Sequence, residues 1–305
     1  MERKLSYKIT ESDQDMTISD YLKKQGFSSQ NIKELKKMNR SILIDNEWMY
    51  VTKRLQANQT LIIHIQENTS NEHVIASNLP FPILYEDEDL VVVNKPANMP
   101  IHPSQNNYDN TLANAAAYYY EIIQNTPFTF RCINRLDRDT TGLTILAKNM
   151  YAANVLATQM QTRKIKRLYL AILDGHLEKK YGTITLPIGR KDGSTIEREI
   201  NLFQGEPAIT HYYQMKQFGQ YCLCAFQLGT GRTHQIRTHM AAMNAPLIGD
   251  TLYNQKSSAA ILSRQALHAY RISFQHPVTK KLLKFTAPVP SDMTDFLSEY
   301  NIKVV

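Results

Sequence analysis

The chain has 305 residues, 43% of them hydrophobic, and a formal net charge of +7 at pH 7, which suits one large domain with its own core, a smaller appendage and a polyanionic partner. No stretch approaches the roughly 20 apolar residues of a membrane-spanning helix, and Met1-Glu2-Arg3-Lys4 lacks the apolar core of a secretion signal, so a cytoplasmic protein with no membrane partner is expected. Its three cysteines, Cys132, Cys222 and Cys224, form neither a disulfide framework nor the Cys-x-x-Cys spacing of a zinc or redox centre.

In chain order, residues 1–66 carry two short helical signals. They are Ile18-Ser19-Asp20-Tyr21-Leu22-Lys23-Lys24 and Asn31-Ile32-Lys33-Glu34-Leu35-Lys36-Lys37, the second with Ser29 as its expected N-cap. The alternating run Ser41-Ile42-Leu43-Ile44, a turn at Asp45-Asn46, and extended runs at Met49-Tyr50-Val51 and Thr60-Leu61-Ile62-Ile63-His64-Ile65 complete a helix-helix-strand unit. This arrangement resembles the small RNA-binding domain of a ribosomal small-subunit protein, which is also appended to several RNA-modifying enzymes. Lysines in such helices also suit a plain solvated face, so the RNA reading draws its weight from the segments that follow.

Residues 67–80 are polar and without apolar periodicity, as a linker would be. A main domain is expected over residues 81–305. Strand signals predominate there, at Leu90-Val91-Val92-Val93-Asn94, Leu143-Thr144-Ile145-Leu146-Ala147, Leu168-Tyr169-Leu170-Ala171-Ile172-Leu173 and Tyr221-Cys222-Leu223-Cys224-Ala225-Phe226. Helices are expected near residues 111–124, 150–162 and 233–243. Strands outnumber helices without regular alternation, which predicts an α+β domain on a large mixed, mainly antiparallel sheet. No repeat or glycine-rich phosphate loop is visible.

The densest chemistry lies in Asn134-Arg135-Leu136-Asp137-Arg138-Asp139-Thr140-Thr141-Gly142, a cluster of charge and hydroxyl directly before an apolar strand, costly to bury without purpose. It resembles the signature of RluA-type pseudouridine synthases, His-Arg-Leu-Asp followed two residues later by Thr-Ser-Gly, with Asp137 as the aligned carboxylate. The resemblance continues in order through Val93-Asn94-Lys95-Pro96-Ala97, Ile101-His102-Pro103-Ser104, Arg167-Leu168-Tyr169-Leu170-Ala171, Leu186-Pro187-Ile188-Gly189-Arg190 and Ala208-Ile209-Thr210-His211-Tyr212. It ends in Gly229-Thr230-Gly231-Arg232-Thr233-His234-Gln235-Ile236-Arg237-Thr238-His239 and Ile248-Gly249-Asp250-Thr251-Leu252-Tyr253. Two positions depart from the family: Asn134 replaces histidine and Thr141 replaces serine. The first keeps a short hydrogen-bonding side chain but loses a titratable ring.

The resemblance implies an isomerase that breaks the bond from ribose to the uracil ring nitrogen, turns the uracil and rejoins it through carbon, with no cofactor and no metal. A carboxylate serves that reaction either by adding to the base or by assisting its loss from the sugar, and both routes stay open. A carboxylate covered by RNA needs a fixed cation to stay ionised. Arg237 is the family's partner for it, although an arginine there also suits an RNA phosphate. Tyr169 aligns with a tyrosine that lies against the base, and on residue type alone it would be core packing. As substrate contacts the resemblance implies Arg135, inserted among bases once the target nucleotide is extruded, Ile236 beneath the uracil, and Asn134, Thr140, Arg232 and His234. The run Arg163-Lys164-Ile165-Lys166-Arg167 fits an RNA backbone or a solvated helix end.

Asp137-x-Asp139-x-Thr141 also matches the outline of a magnesium-dependent phosphatase, but no apolar strand precedes it. His234 and His239 lie five apart without the glutamate of a zinc-protease helix. The expected partner is structured RNA, ribosomal before transfer RNA, bound by a monomer. A non-catalytic RNA-binding or ribosome-assembly factor on the same fold is the competing reading.

Overall fold

In the computed structural model, which describes residues 1–71, 73–255 and 260–303, the chain opens with β1 (Glu2–Lys8), α1 (Ile18–Lys24) and α2 (Ser29–Lys37), and continues as β2 (Ile42–Ile44), β3 (Glu47–Trp48) and β4 (Thr60–Gln66). The four strands form one sheet in the order β1-β4-β2-β3. Leu5, Leu22, Leu35, Ile42, Leu61 and Ile63 fill the space between it and the helices. One element was not expected, and two local expectations need correction. The stretch that opens the chain is a strand, because Leu5 and Tyr7 pack inward while Glu2, Lys4, Ser6 and Lys8 at the alternate positions face out. The cap of α2 is Ser28, which exchanges hydrogen bonds with Asn31 in a capping box. The strand after the turn is Glu47–Trp48 and not Met49-Tyr50-Val51, because Asp45 and Asn46, both left-handed (φ 49° and 73°), make a two-residue turn that seats Glu47 opposite Ile44 at once.

The remainder holds β5 (Ile83–Glu86), β6 (Leu90–Lys95), α3 (Leu112–Ala117), β7 (Thr141–Ala147), α4 (Met150–Gln161), β8 (Lys166–Asp174), β9 (Tyr181–Ile184), β10 (Ile188–Arg190), β11 (Arg198–Ile200), β12 (Thr210–Phe218), β13 (Tyr221–Leu228), α5 (Gln235–Ala242), β14 (Leu267–Gln275), β15 (Leu282–Thr286) and α6 (Ser291–Ser298). The helix expected over 111–124 stops being an α-helix after Ala117 and continues as a π-helical turn from Tyr118 to Ile123. The main sheet runs β5-β6-β7-β14-β8-β13-β12-β9, with β15 also paired to β14. Every pairing is antiparallel except β7 with β14, so the fold is the α+β arrangement of a mixed, mainly antiparallel sheet. β7 touches β14 only at His268 and Ala269, whereas β15 takes the same edge from Arg271 onward. The sheet therefore forks at β14. Gly142 makes the fork possible: its φ is 110°, and a Cβ there would lie 2.4 Å from the Ala269 carbonyl oxygen.

Of residues 67–80, expected as a linker, Glu67, Ser70, Asn71 and Ile75 are hydrogen-bonded to the rest of the chain. Glu67 accepts from the Met150 N–H and from Arg131, Ser70 and Asn71 accept from the Phe128 and Phe130 N–H groups, and Asn114 donates to the Ile75 carbonyl. The first sheet is docked as well. Tyr151 of α4 is buried in its core against Phe27 and donates to the Gln25 carbonyl, and Arg3 forks onto Asp89 at 2.9 and 2.8 Å. Asp87, Asp89 and His276 converge beside this contact, and Tyr85, Arg3 and Asn149 occupy their carboxylates.

Candidate active site

The motif residues meet at a cleft of about 560 Å³ between the loop before β7, strand β8 and helix α5. All of the site residues expected from the sequence line it. Asp137 sits on that loop, and two devices fix the loop. The side chain of Asn134 is buried and behaves as a piece of backbone: its Nδ2 donates to the Leu143 carbonyl at 2.8 Å and its Oδ1 accepts from the Ile145 N–H at 2.9 Å. Behind Asp137, the fully buried Lys95 donates from Nζ to the carbonyls of Pro96, Met99 and Arg138 at 2.7, 2.9 and 2.8 Å. Burial pulls Lys95 down to about 7, opposed by the charges of Asp139 and Asp137. Its three acceptors match the three protons of an ammonium group. Lys95→Met strands those three carbonyls, the Met99 one fully buried. The expected cost is at least about 2 kcal/mol in denaturant unfolding, with catalysis falling further than RNA affinity because the Asp137 loop loses its anchor.

Arg237 comes from α5, where the sequence arranges an unusual start. His234 is left-handed (φ 57°), and Gln235 clamps the turn by donating to the Ile209 carbonyl and accepting from the Arg232 N–H and the Thr230 hydroxyl. The buried guanidinium then faces two carboxylates. Nε and Nη2 fork onto Asp250 at 2.7 and 2.8 Å, and Nη1 reaches Asp137 at 3.3 Å. The bidentate grip of Arg237 therefore belongs to Asp250, and Asp137, its expected partner, takes the remaining edge of the fork. Sequence reasoning assigns Asp250 no role. The signal available is Gly249 before it, left-handed at φ 72° with Arg264 backbone 1.9 Å from where a Cβ would be. Burial works against the Arg237 cation, but hydrogen bonds and charge from Asp250, and charge from Asp137, hold its pKa above the ordinary arginine value. Tyr253 lies under the same guanidinium at 5.0 Å and meets His234 Nδ1 at 2.9 Å. Burial lowers the His234 pKa against the opposing charge of Asp137, which favours the neutral imidazole.

Tyr169 closes the cleft from β8, on the same face as Ala171 and Leu173 and opposite Leu170 and Ile172, as strand alternation requires. Burial raises its phenol, and neighbouring Arg167 opposes the rise. Ile236 is buried in the same cluster. Arg135 is exposed at the rim and, among the described residues, holds no ion pair. Besides Asn134, two more candidates are turned to other work: Arg232 pairs with Glu206 and donates to the Pro207 carbonyl, and Thr140 is buried, with its hydroxyl accepting from Gln265. Asp139 pairs with Arg138 and accepts from the Asn98 N–H. His239 is tied at both ring nitrogens, to Thr210 and the Leu186 carbonyl.

The cleft thus holds a partly exposed carboxylate on a rigid loop, an aromatic wall, an apolar floor and a cationic rim. Carboxylates of this kind act on glycosidic bonds, and such surroundings bind an unstacked base. The family model of RNA pseudouridylate synthases matches residues 89–242. The chain is 35% identical to the uncharacterised RNA pseudouridine synthase YjbO of Bacillus subtilis over 94% of its own length and 100% of the relative's. It is 40% identical to the ribosomal large subunit pseudouridine synthase D of Haemophilus ducreyi over 72% of this chain and 70% of that one. Among solved structures it resembles human RNA pseudouridylate synthase domain containing 1, with a TM-score of 0.57 and 26% identity over 68% of this chain and 83% of that one. The chain therefore belongs to the RNA pseudouridylate synthase family, in its RluA-type branch, and is an isomerase that converts uridine to pseudouridine in RNA.

Proposed function

We propose that the enzyme acts on chosen uridines of large-subunit ribosomal RNA, before transfer RNA, with Asp137 as its catalytic carboxylate. The observation that carries this reading is the placement of Asp137 in the cleft, 3.3 Å from Arg237 and beside Tyr169. Arg135, free at the rim, takes the place of the extruded nucleotide in the stack, and uracil lies between Tyr169 and Ile236. The bond from ribose C1′ to N1 breaks, a bond from C1′ to C5 forms, the C5 proton leaves, and N1 gains a proton, so no other reactant is consumed. Asp137 supplies the electron pair for the first step, either at the base or at C1′. The bond Asp137 has made breaks again as C1′ joins C5, and the freed carboxylate takes the C5 proton; Tyr169 lies against the base, and Arg237 holds Asp137 in one orientation throughout.

Residues 1–66 are read as an RNA-binding module of the ribosomal-protein type, residues 67–80 as its connection and residues 81–305 as the catalytic domain of a cytoplasmic monomer. Supporting the first of these, Lys23, Lys24, Lys33, Lys36 and Lys37 all face solvent on α1 and α2. Relatives named for the large ribosomal subunit support the choice of RNA. Mapping pseudouridine in ribosomal and transfer RNA from cells with and without the gene tests it: the expected loss is at defined large-subunit positions, and a loss confined to transfer RNA overturns the target.

A further inference from the structure

A second concavity, of about 430 Å³, lies beside the first, and Arg167 lines both. The strand registers place it on the opposite side of the sheet. On β8, Tyr169 faces the catalytic cleft, so Lys166 and Leu168 face away. Arg271 of β14 is registered against Leu168 and against Thr286 of β15, and Ser273 against Lys166 and Lys284. Gln227 of β13 completes the row opposite Leu168. The resulting floor sets lysine, arginine, amide and hydroxyl donors around apolar Leu168, Ile272 and Phe285, with no acidic residue among the described lining.

Its cations lack the usual partners. Among the described residues neither Lys166 nor Lys284 forms an ion pair, both are exposed, and Arg271 is met only by the face of Tyr270 at 4.9 Å. Arg167, at the boundary, faces the catalytic cleft, where its Nη2 donates to the Thr230 carbonyl at 3.4 Å, while its buried Nε has no hydrogen-bond partner. Three cations without an ion pair, Lys166, Arg271 and Lys284, on one concave surface free of acidic residues match the spaced phosphates of a nucleic-acid strand. The two concavities are bridged by the basic run Arg163-Lys164-Ile165-Lys166-Arg167, whose first arginine lines the catalytic cleft and whose last two residues line the second site.

We propose that this second concavity is a phosphate-binding subsite for the single strand flanking the target uridine, which leaves the catalytic cleft past Arg163 and Arg167 and folds around the start of β8. The proposal rests on the cleft's being the site of an RNA uridine, but its test does not depend on chemistry.

The test uses fluorescence anisotropy on the full chain with labelled oligouridylates of about 5 and about 20 nucleotides, lengths that bracket a single-strand site, across a series of salt concentrations. Lys166→Gln/Lys284→Gln is compared with Lys179→Gln/Lys180→Gln, an equal loss of exposed charge at the far end of β8. The first pair is expected to lower the slope of log affinity against log salt for the longer strand by about 0.7 for each phosphate no longer neutralised, roughly fivefold in affinity per phosphate near 0.1 M salt. The shorter strand, held in the cleft, is expected to bind both variants and the wild type alike. A loss equal to that of the control pair, an unchanged slope, or wild-type binding that does not strengthen with strand length overturns the subsite. Absence of pseudouridine from a wild-type reaction, with these binding results intact, overturns instead the reading of the catalytic cleft.

Discussion

Asp137→Asn is expected to lower pseudouridine formation by on the order of 10⁴-fold or more, the scale on which removal of an attacking group acts in other enzymes, while RNA affinity changes little. The amide is nearly isosteric and keeps an oxygen toward Nη1 of Arg237, which lies 3.3 Å from the carboxylate, so the loop and the cleft keep their shape. What is lost is the negative charge and electron pair that both chemical routes require. Release of tritium from RNA labelled at uracil C5 reads the reaction directly, since the new bond to C1′ displaces that hydrogen. RNA binding measured on the same variant separates chemistry from affinity. An Asp137→Asn enzyme that releases tritium at a rate near the wild type's removes the carboxylate from the mechanism.

Asp250→Ala is the second large effect, and it falls on stability as well as rate. Arg237 and Asp250 are buried together, with side-chain exposures of 8% and 0%, and Asp250 also accepts from the N–H groups of Leu252 and Tyr253. Removing it leaves a buried guanidinium whose remaining carboxylate is Asp137, and breaking such a pair costs about 3–5 kcal/mol. The expected result is that loss in denaturant unfolding together with a rate reduced because Arg237, no longer gripped from behind, rotates toward Asp137 and alters its presentation. The double variant Asp250→Ala/Arg237→Met should recover part of the stability, since it removes the stranded charge, and none of the rate. Full retention of both stability and rate in Asp250→Ala would show that the grip does not position the catalytic pair.

Much of the site is legible from the sequence because its motifs place charge where an ordinary strand or turn has no use for it. Asp137, Tyr169, Arg135, Ile236 and Arg237 all line one cleft although they lie on separate segments of the chain. The limits are physical. The role of Asp250 depends on a turn through left-handed Gly249 that brings it behind α5, and no local periodicity reports such a contact. Asn134 aligns as a substrate contact, yet both ends of its amide are spent on the backbone of β7, a pairing visible only once the strand is beside it. Lys95 is one motif residue among several until three carbonyls close around it. In the fold, β1 is hidden because charged residues interrupt its alternation, and its place is set by β4 across nearly sixty residues of chain. The fork at β14 likewise arises from tertiary pairing.

The most direct test of the account is made in cells. A strain lacking the gene is supplied with either the wild-type protein or Asp137→Asn at equal abundance, and pseudouridine is mapped in its large-subunit ribosomal RNA. The account predicts that the wild type restores the missing modifications and that Asp137→Asn restores none. Restoration by Asp137→Asn would contradict it, and rescue of ribosome assembly by that variant without modification would point to an RNA-binding factor.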